Sequence, residues 1–229
     1  MEEQAFVDQI KIIVKDGTGH LSENDYHVVA NEAAKFYSQD RPREVIYVYP
    51  GGAYDYELPT SWIEGFSTIL SIEYPFSEEA SPRSTIETLA EEDFLLRRGF
   101  KNQTQKLLLH LNIKLGANDK FGMLHTTFHA LNTIPETDFH AVCNLGAGLA
   151  LRILANRLSQ YSDSSIGADS VDYRNKGDLM ASRSKECIKL YSDYIGKTTE
   201  EVEAAMAIRE FDVEYLPGVP YLTHPPESR

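Results

Sequence analysis

Cysteine is nearly missing from this chain: Cys143 and Cys187 are the only two in 229 residues. They have no metal-like spacing, so neither a disulfide-stapled fold nor a cysteine zinc site is expected, and both are read as reduced core thiols. Long apolar runs are missing too. None approaches the ~20 residues that span a bilayer, and the opening MEEQAFVDQI lacks the basic start and apolar core of a secretory leader. Synthesis in the cytosol and no membrane partner are expected. Basic charge is scarce, with 22 Lys and Arg against 35 Asp and Glu and a net charge of −13. That argues against a surface that grips a phosphate backbone, which needs clustered cations to release counterions. It leaves room for an acidic protein that lets DNA slide past.

Recognisable chemistry is also missing. His125 and His129 stand four apart, but MLHTTFHAL alternates like a strand, where such positions lie ~13 Å apart along one face, and no Glu follows His125 to complete a metalloprotease motif. They are read as structural or surface histidines. Asp163, Asp169 and Asp172 lack the spacing and closing Glu of a calcium loop, and caps for a following helix are the simpler reading. Pro50-Gly51-Gly52 lacks the Lys-Ser or Lys-Thr ending of a phosphate loop, and Gly65-Phe66-Ser67 lacks the second glycine of a nucleophile elbow. No catalytic residue, cofactor or metal ligand is assigned, and a hydrolase would need a site that the sequence does not display.

With 42% hydrophobic and 25% charged residues, the chain can bury a full core. Its periodicity changes twice. Helical spacing opens it, with Phe6, Ile10 and Ile13 on one stripe and a break at residues 17–20. Ser22 with Asp25 forms a capping arrangement, Leu21 and Tyr26 stand where a hydrophobic staple would be, and a helix from about Glu23 presents Tyr26, Val29, Ala33 and Phe36 before ending ahead of Arg41-Pro42. From Glu44 the pattern is strand-like. Residues 45–49 are β-branched and aromatic, Leu70, Ile72 and Tyr74 alternate with polar residues, and further strands are expected at 94–98, 106–112 and 121–129. Residues 76–89 read as an exposed loop. Trp62, the lone tryptophan, is either a lid on this β unit or, on the sharper reading, an interface anchor.

Helical signals return after Pro135, with Thr137 or Asp138 as N-cap. The helix over Phe139–Tyr161 carries two apolar stripes, Val142, Leu145, Leu149 and Ile153 on one and Ala147, Leu151, Leu154 and Leu158 on the other, so it must be covered on more than one side. Gly146 and Gly148 each cost ~1 kcal/mol in a helix interior, which points to close approach of a neighbouring backbone and marks them as interface candidates. A second long helix follows from about Val171 to Ile195, with Gly196 as its stop. Its Tyr173, Gly177, Met180, Ser184, Cys187, Tyr191 and Tyr194 recur at packing-seam spacing. Thr198 and Glu201 can cap a short last helix. Beyond Phe211, Pro217, Pro220, Pro225 and Pro226 leave an extended arm. Residues 198–229 hold seven acids and two bases, yet Tyr215, Leu216, Val219, Tyr221 and Leu222 supply apolar anchors, so a docking role on a partner is expected. The fold class is α+β: a helical bundle (1–42 and 137–209), an inserted small antiparallel β unit (43–136) and an extended C-terminal arm (210–229).

Two segments carry a resemblance. Residues 164–196, SSIGADSVDYRNKGDLMASRSKECIKLYSDYIG, and residues 58–75, LPTSWIEGFSTILSIEYP, are similar in order and spacing to the head-to-tail adaptor (head completion, or connector) proteins of long-tailed bacteriophages. Leu58-Pro59, Trp62, Gly65-Phe66, Ile72-Glu73-Tyr74-Pro75 and Ala168 through Arg174 with Lys176 are the most specific words, and the likeness runs from about Leu21 to Ile195. The resemblance implies a non-enzymatic virion protein at the head-tail interface. It implies a homo-oligomeric, dodecameric ring bound to the portal protein, extending the DNA channel without sequence-specific binding and seating a tail-proximal connector or tail terminator protein. Trp62, Gly146, Gly148, Tyr215, Leu216, Tyr221 and Leu222 are the candidate contact residues. From another class, a small binding module or assembly chaperone with a pocket in the β unit remains the alternative.

Overall fold

Ser22 starts the second helix as its spacing predicts. Its side chain accepts from the Asp25 backbone N–H while the Asp25 carboxylate accepts from the Ser22 N–H, a complete capping box. Leu21 and Tyr26, flanking that box, are both buried in one apolar cluster. The computed structural model describes residues 2–17, 19–76, 87–101, 104–161 and 170–197. Among them the helices are α1 (Glu3–Val14), α2 (Glu23–Asp40), α3 (Phe139–Tyr161) and α4 (Ser170–Ile195), and the strands are β1 (Arg43–Pro50), β2 (Asp55–Glu57), β3 (Ile69–Glu73), β4 (Phe94–Lys101), β5 (Thr104–Leu111) and β6 (Lys120–Thr127). The fold is α+β. The expected last helix, with Thr198 and Glu201, the C-terminal arm and the acids Asp163 and Asp169 lie outside the described residues.

The helices close on one another. Phe6, Val7, Ile10 and Val14 of α1, Val29, Ala30, Ala33 and Ala34 of α2, and Val142, Ala147, Leu151 and Leu158 of α3 share a cluster with Cys187 and Tyr191 of α4. Both expected stripes of α3 therefore find cover, and Leu149 and Ile153 pack against the cluster partly buried. Gly196 ends α4 with positive φ, and its N–H and that of Lys197 both reach the Ser192 carbonyl. The expected seam on α4 holds at Gly177, Ser184, Cys187 and Tyr191, but Tyr194 is exposed at the helix end, its ring lying over the Arg41 guanidinium.

The β region departs from expectation in three ways. Six strands form two three-stranded antiparallel sheets, in the orders β1-β6-β3 and β2-β5-β4, where about five strands in one unit were expected. The three-residue β2 is too short to show alternation. Second, Leu70 is 47% exposed while Ile69 packs inward beside Ile72. The register of β3 on β6 shifts between Ile69 and Ser71, and such a bulge moves the side chain before it to the opposite face. Third, the end of the expected loop runs along β3: the Tyr74 N–H donates to Glu87 and the Leu89 N–H to Ile72, and Leu89 packs on the core. Tyr49, Tyr56, Ile72, Leu109, Leu111, Phe121 and Met123 from both sheets form this second cluster, with the Tyr49 and Phe121 rings stacked at 5.0 Å.

Candidate functional site

The densest polar cluster stands where the β unit joins the helices. The chain leaves the bundle through Arg41 and returns through Asp138, in a 3₁₀ turn (Glu136–Asp138) that runs straight into α3. Asp138 is 3% exposed. Its carboxylate accepts from Tyr37 Oη at 2.5 Å, Arg41 Nη1 at 2.8 Å, Tyr194 Oη at 2.7 Å and Thr137 Oγ1 at 2.8 Å. The expectation that Thr137 or Asp138 caps α3 is thus corrected for Asp138, whose oxygens are committed to α2 and α4. Burial alone would raise this carboxyl, but the bonds from Tyr37, Tyr194, Thr137 and Arg41 outweigh it and hold it at about 2. Burial and then Asp138 push the Tyr37 phenol up.

Alongside, Asp40 accepts from Tyr191 Oη at 2.6 Å and Lys197 Nζ at 2.5 Å, and burial followed by Asp40 raises the Tyr191 phenol. Ser38 Oγ donates to the Ala34 carbonyl and accepts from the His129 backbone N–H. Every carboxylate oxygen here has a donor and the phenols resist ionisation. The arrangement is built to clamp α2, α4 and the returning chain together.

A second set of ties closes the opposite end of the bundle. Arg157 of α3 donates to both oxygens of Asp25. That guanidinium first, and then the Ser22 bonds, hold the Asp25 carboxyl at about 2. Arg183 of α4 donates to the last carbonyls of α1, Ile13 and Val14, where a cation also suits the helix dipole. A recess of about 400 Å³ lies nearby, lined by Lys11, Lys15, Asp16, Gly17, Gly19, Leu21 and Tyr26. It belongs to the helices and not to the β unit in which a pocket was considered.

The residues singled out from sequence separate in space. Trp62 packs partly buried on the β cluster, 5.9 Å from the His125 ring, and its Nε1–H is buried without a hydrogen-bond partner among the described residues. Gly146 and Gly148 are covered by the chain's own helices, so the place they occupy is between helices and not on an outer face. A Cβ on Gly146 would lie 2.6 Å from Ile10 Cδ1, and one on Gly148 2.7 Å from Ile188 Cγ1 and 3.2 Å from the Ser184 carbonyl oxygen. Close backbone approach is therefore real at Gly148, where Ser184 Oγ also donates to the Gly148 carbonyl, whereas at Gly146 the neighbour is a side chain. Tyr215, Leu216, Tyr221 and Leu222 lie outside the described residues. His125 is fully buried in β6 with Ser61 Oγ 2.9 Å from Nε2, and His129 lies beyond the strand. Cys143 and Cys187 are free and buried, and burial pushes the Cys143 thiol up to about 12.

Sequence reasoning missed the outward apolar side chains of the β unit: Ile46 and Tyr47 on β1, Leu70 on β3, Leu95 and Leu96 on β4. For Leu95 and Leu96 the advance signal was apolar residues at consecutive positions 94–96, which cannot all face one side of a strand. Among the described residues no helix is long and apolar enough to cross a membrane, and no group of three or more His, Cys, Asp or Glu could hold a metal ion. No family model and no curated protein matches the chain.

Proposed function

We propose that this chain is the structural subunit of a head-to-tail adaptor: a non-enzymatic virion protein that forms a dodecameric ring between the portal protein and a tail-proximal connector or tail terminator, extending the DNA channel. The reading starts from the resemblance of residues 58–75 and 164–196 to that family. The observation that carries it further is the apolar surface of the β unit. A bundle whose ends are tied by polar clamps carries, between α2 and α3, two sheets that turn Ile46, Tyr47, Leu70 and Leu95 outward. Apolar surface of that kind marks protein–protein contact sites, and heterologous contacts close into rings when the rotation permits. The net charge of −13 per subunit would line a channel with a field that repels DNA and keeps it mobile.

Quantitative mass analysis of purified tailed particles tests this. The chain should be present at the copy number of the portal. Its absence from particles, or presence at only a few copies each, overturns the ring. Failure to form rings in isolation does not bear on it, since assembly on the portal is part of the proposal.

A further inference from the structure

The β4–β5 hairpin is chemically unlike the rest of the chain. Residues 94–111 contain Arg97, Arg98, Lys101 and Lys106 and no Asp or Glu, in a protein of net charge −13. β4 is the edge of its sheet, so every second residue turns its N–H and C=O away from β5 toward a side on which no described strand pairs. Nothing protects this edge by being short, since β4 is eight residues long. Cross-strand rows locate its unfinished face. Leu96 lies opposite Leu109, which lies opposite Tyr56. Leu109 is fully buried and Tyr56 nearly so, but Leu96, last in the row, is 38% exposed. Phe94 ends the next row, opposite buried Leu111. On the opposite face Leu95 is 43% exposed. Arg97 and Arg98 meet Asp55 and Glu64 in ion pairs but keep about half or more of their side chains open, and exposed pairs of this kind are worth little and exchange readily.

A matching segment exists in the same chain. Residues 210–216 read Glu-Phe-Asp-Val-Glu-Tyr-Leu. Glu210, Asp212 and Glu214 alternate with Phe211, Val213 and Tyr215 at the period that places acids on one face of a strand and apolar groups on the other. We propose that residues 210–216 dock in their own chain as a fourth strand on the free edge of β4, giving the order β2-β5-β4-segment. Set antiparallel with Val213 opposite Leu96, Tyr215 falls beside Phe94 and completes the second row, while Asp212 falls opposite Arg97. Main-chain bonds would supply the affinity and the alternating side chains the register, as in other strand additions. The fit needs an apolar stripe and an interleaved acid opposite Arg97, with Glu214 and Glu210 falling beside Leu95 and Gly99. No other stretch of residues 198–229 has both features, and Tyr221 and Leu222 are left for a separate partner.

The tether reaches. Lys197 is held by Asp40, three residues before Arg43, which pairs with Thr127. Thr127 Oγ1 donates to the Ser61 carbonyl, and Ser61 is three residues from Glu64, the partner of Arg98. Twelve residues separate Lys197 from Glu210, a span of up to ~40 Å when fully extended and about 18 Å if the expected short helix forms, and a short tether raises the effective concentration of a segment on its own chain. That favours the chain's own segment over one from another copy.

Hydrogen–deuterium exchange on the full-length protein, independent of any particle, is the test. Amides of Phe94–Lys101 should exchange about tenfold or more slowly in the natural chain than in a Glu210→Lys, Asp212→Lys, Glu214→Lys variant. A Val213→Pro variant, which keeps every charge but removes one strand donor, should show the same loss, and amides of Phe139–Tyr161 should be unaffected in both. Equal exchange across β4 in all three proteins overturns the docking. Protection that disappears when the natural chain is diluted a hundredfold overturns the intramolecular pairing and identifies exchange between copies.

Discussion

The helical bundle and the β unit solve the same burial problem with different materials. In the bundle, small residues let the helices approach closely: Ala30, Ala33 and Ala34 of α2 face Ala147 and Ala150 of α3 within one cluster, and Gly148 admits the backbone of α4. Both ends are then tied by buried or half-buried carboxylates, Asp138 and Asp25. In the β unit, large rings fill the space between two small sheets, with Tyr49, Tyr56 and Phe121 in mutual contact. Three strands a side cannot enclose their own outer apolar groups, so leucines remain outside. The clamps fix the ends of the bundle, but Ile12, Val28, Leu179 and Leu190 stay exposed on its helices just as Ile46, Leu70 and Leu95 do on the sheets, so the two regions differ in how they fill their cores and not in whether they offer apolar surface.

Truncating each core should break that comparison most severely if it is wrong. Phe121→Ala should cost about 3–5 kcal/mol and Leu151→Ala about 2–5 kcal/mol. The first should unfold the β unit while far-UV helical signal persists to higher temperature, and the second should lower the helical transition itself. A single coincident transition for both variants would show that the clamp around Asp138 makes one cooperative unit of the two. Close approach in the bundle is probed next. Gly148→Leu should destabilise by about 1–3 kcal/mol or more, because a backbone oxygen stands in the way. Gly146→Ala should lie nearer neutrality, since Ile10 can shift its terminal methyl and helix propensity gains ~1 kcal/mol. Thermal melts in which Gly148→Leu is as stable as the natural chain would remove the close contact of α3 with α4.

The junction has a pH signature. Asp138 has a folded carboxyl at about 2 against an ordinary value of 3.8. Because the folded value is depressed, its contribution is fully present above about pH 4 and is lost as pH falls toward 2. The loss amounts to about 2 kcal/mol, with Asp25 adding in the same window and the same sense. Denaturant titrations at pH 5 and pH 2.5 should show the drop, and Asp138→Asn should flatten it. The smallest effect on stability belongs to the surface. Leu70→Ser and Leu95→Ser should each change stability by within about 0.5 kcal/mol yet reduce the copies of the chain found in purified tailed particles. Unchanged incorporation would mean that the sheets are not the contact face.

Much of the bundle was legible. The capping box at Ser22, both ends of α3 and the stop at Gly196 follow from local rules, since caps, periodicity and a left-handed glycine act within a few residues. The β unit was legible only as a set of strands. Which strands pair, and the bulge that turns Leu70 outward, depend on partners such as β6 that lie some fifty residues away. The candidate contact residues fared by the same rule. The oddity of Gly146 and Gly148 could be seen in the sequence, but that their neighbours are the chain's own α1 and α4 could not.

The sequence by itself determined where α2, α3 and α4 begin and end, that the middle of the chain is extended, that both cysteines are core thiols and that residues 94–111 are basic in an acidic protein. Tertiary structure alone decided that Asp138 clamps three elements instead of capping one, that the strands divide into two sheets, and that Leu95 and Leu96 end up at an open edge. Local signals are written in spacing and residue type. Burial and partnership are properties of pairs far apart in the chain, and only folding brings those pairs together.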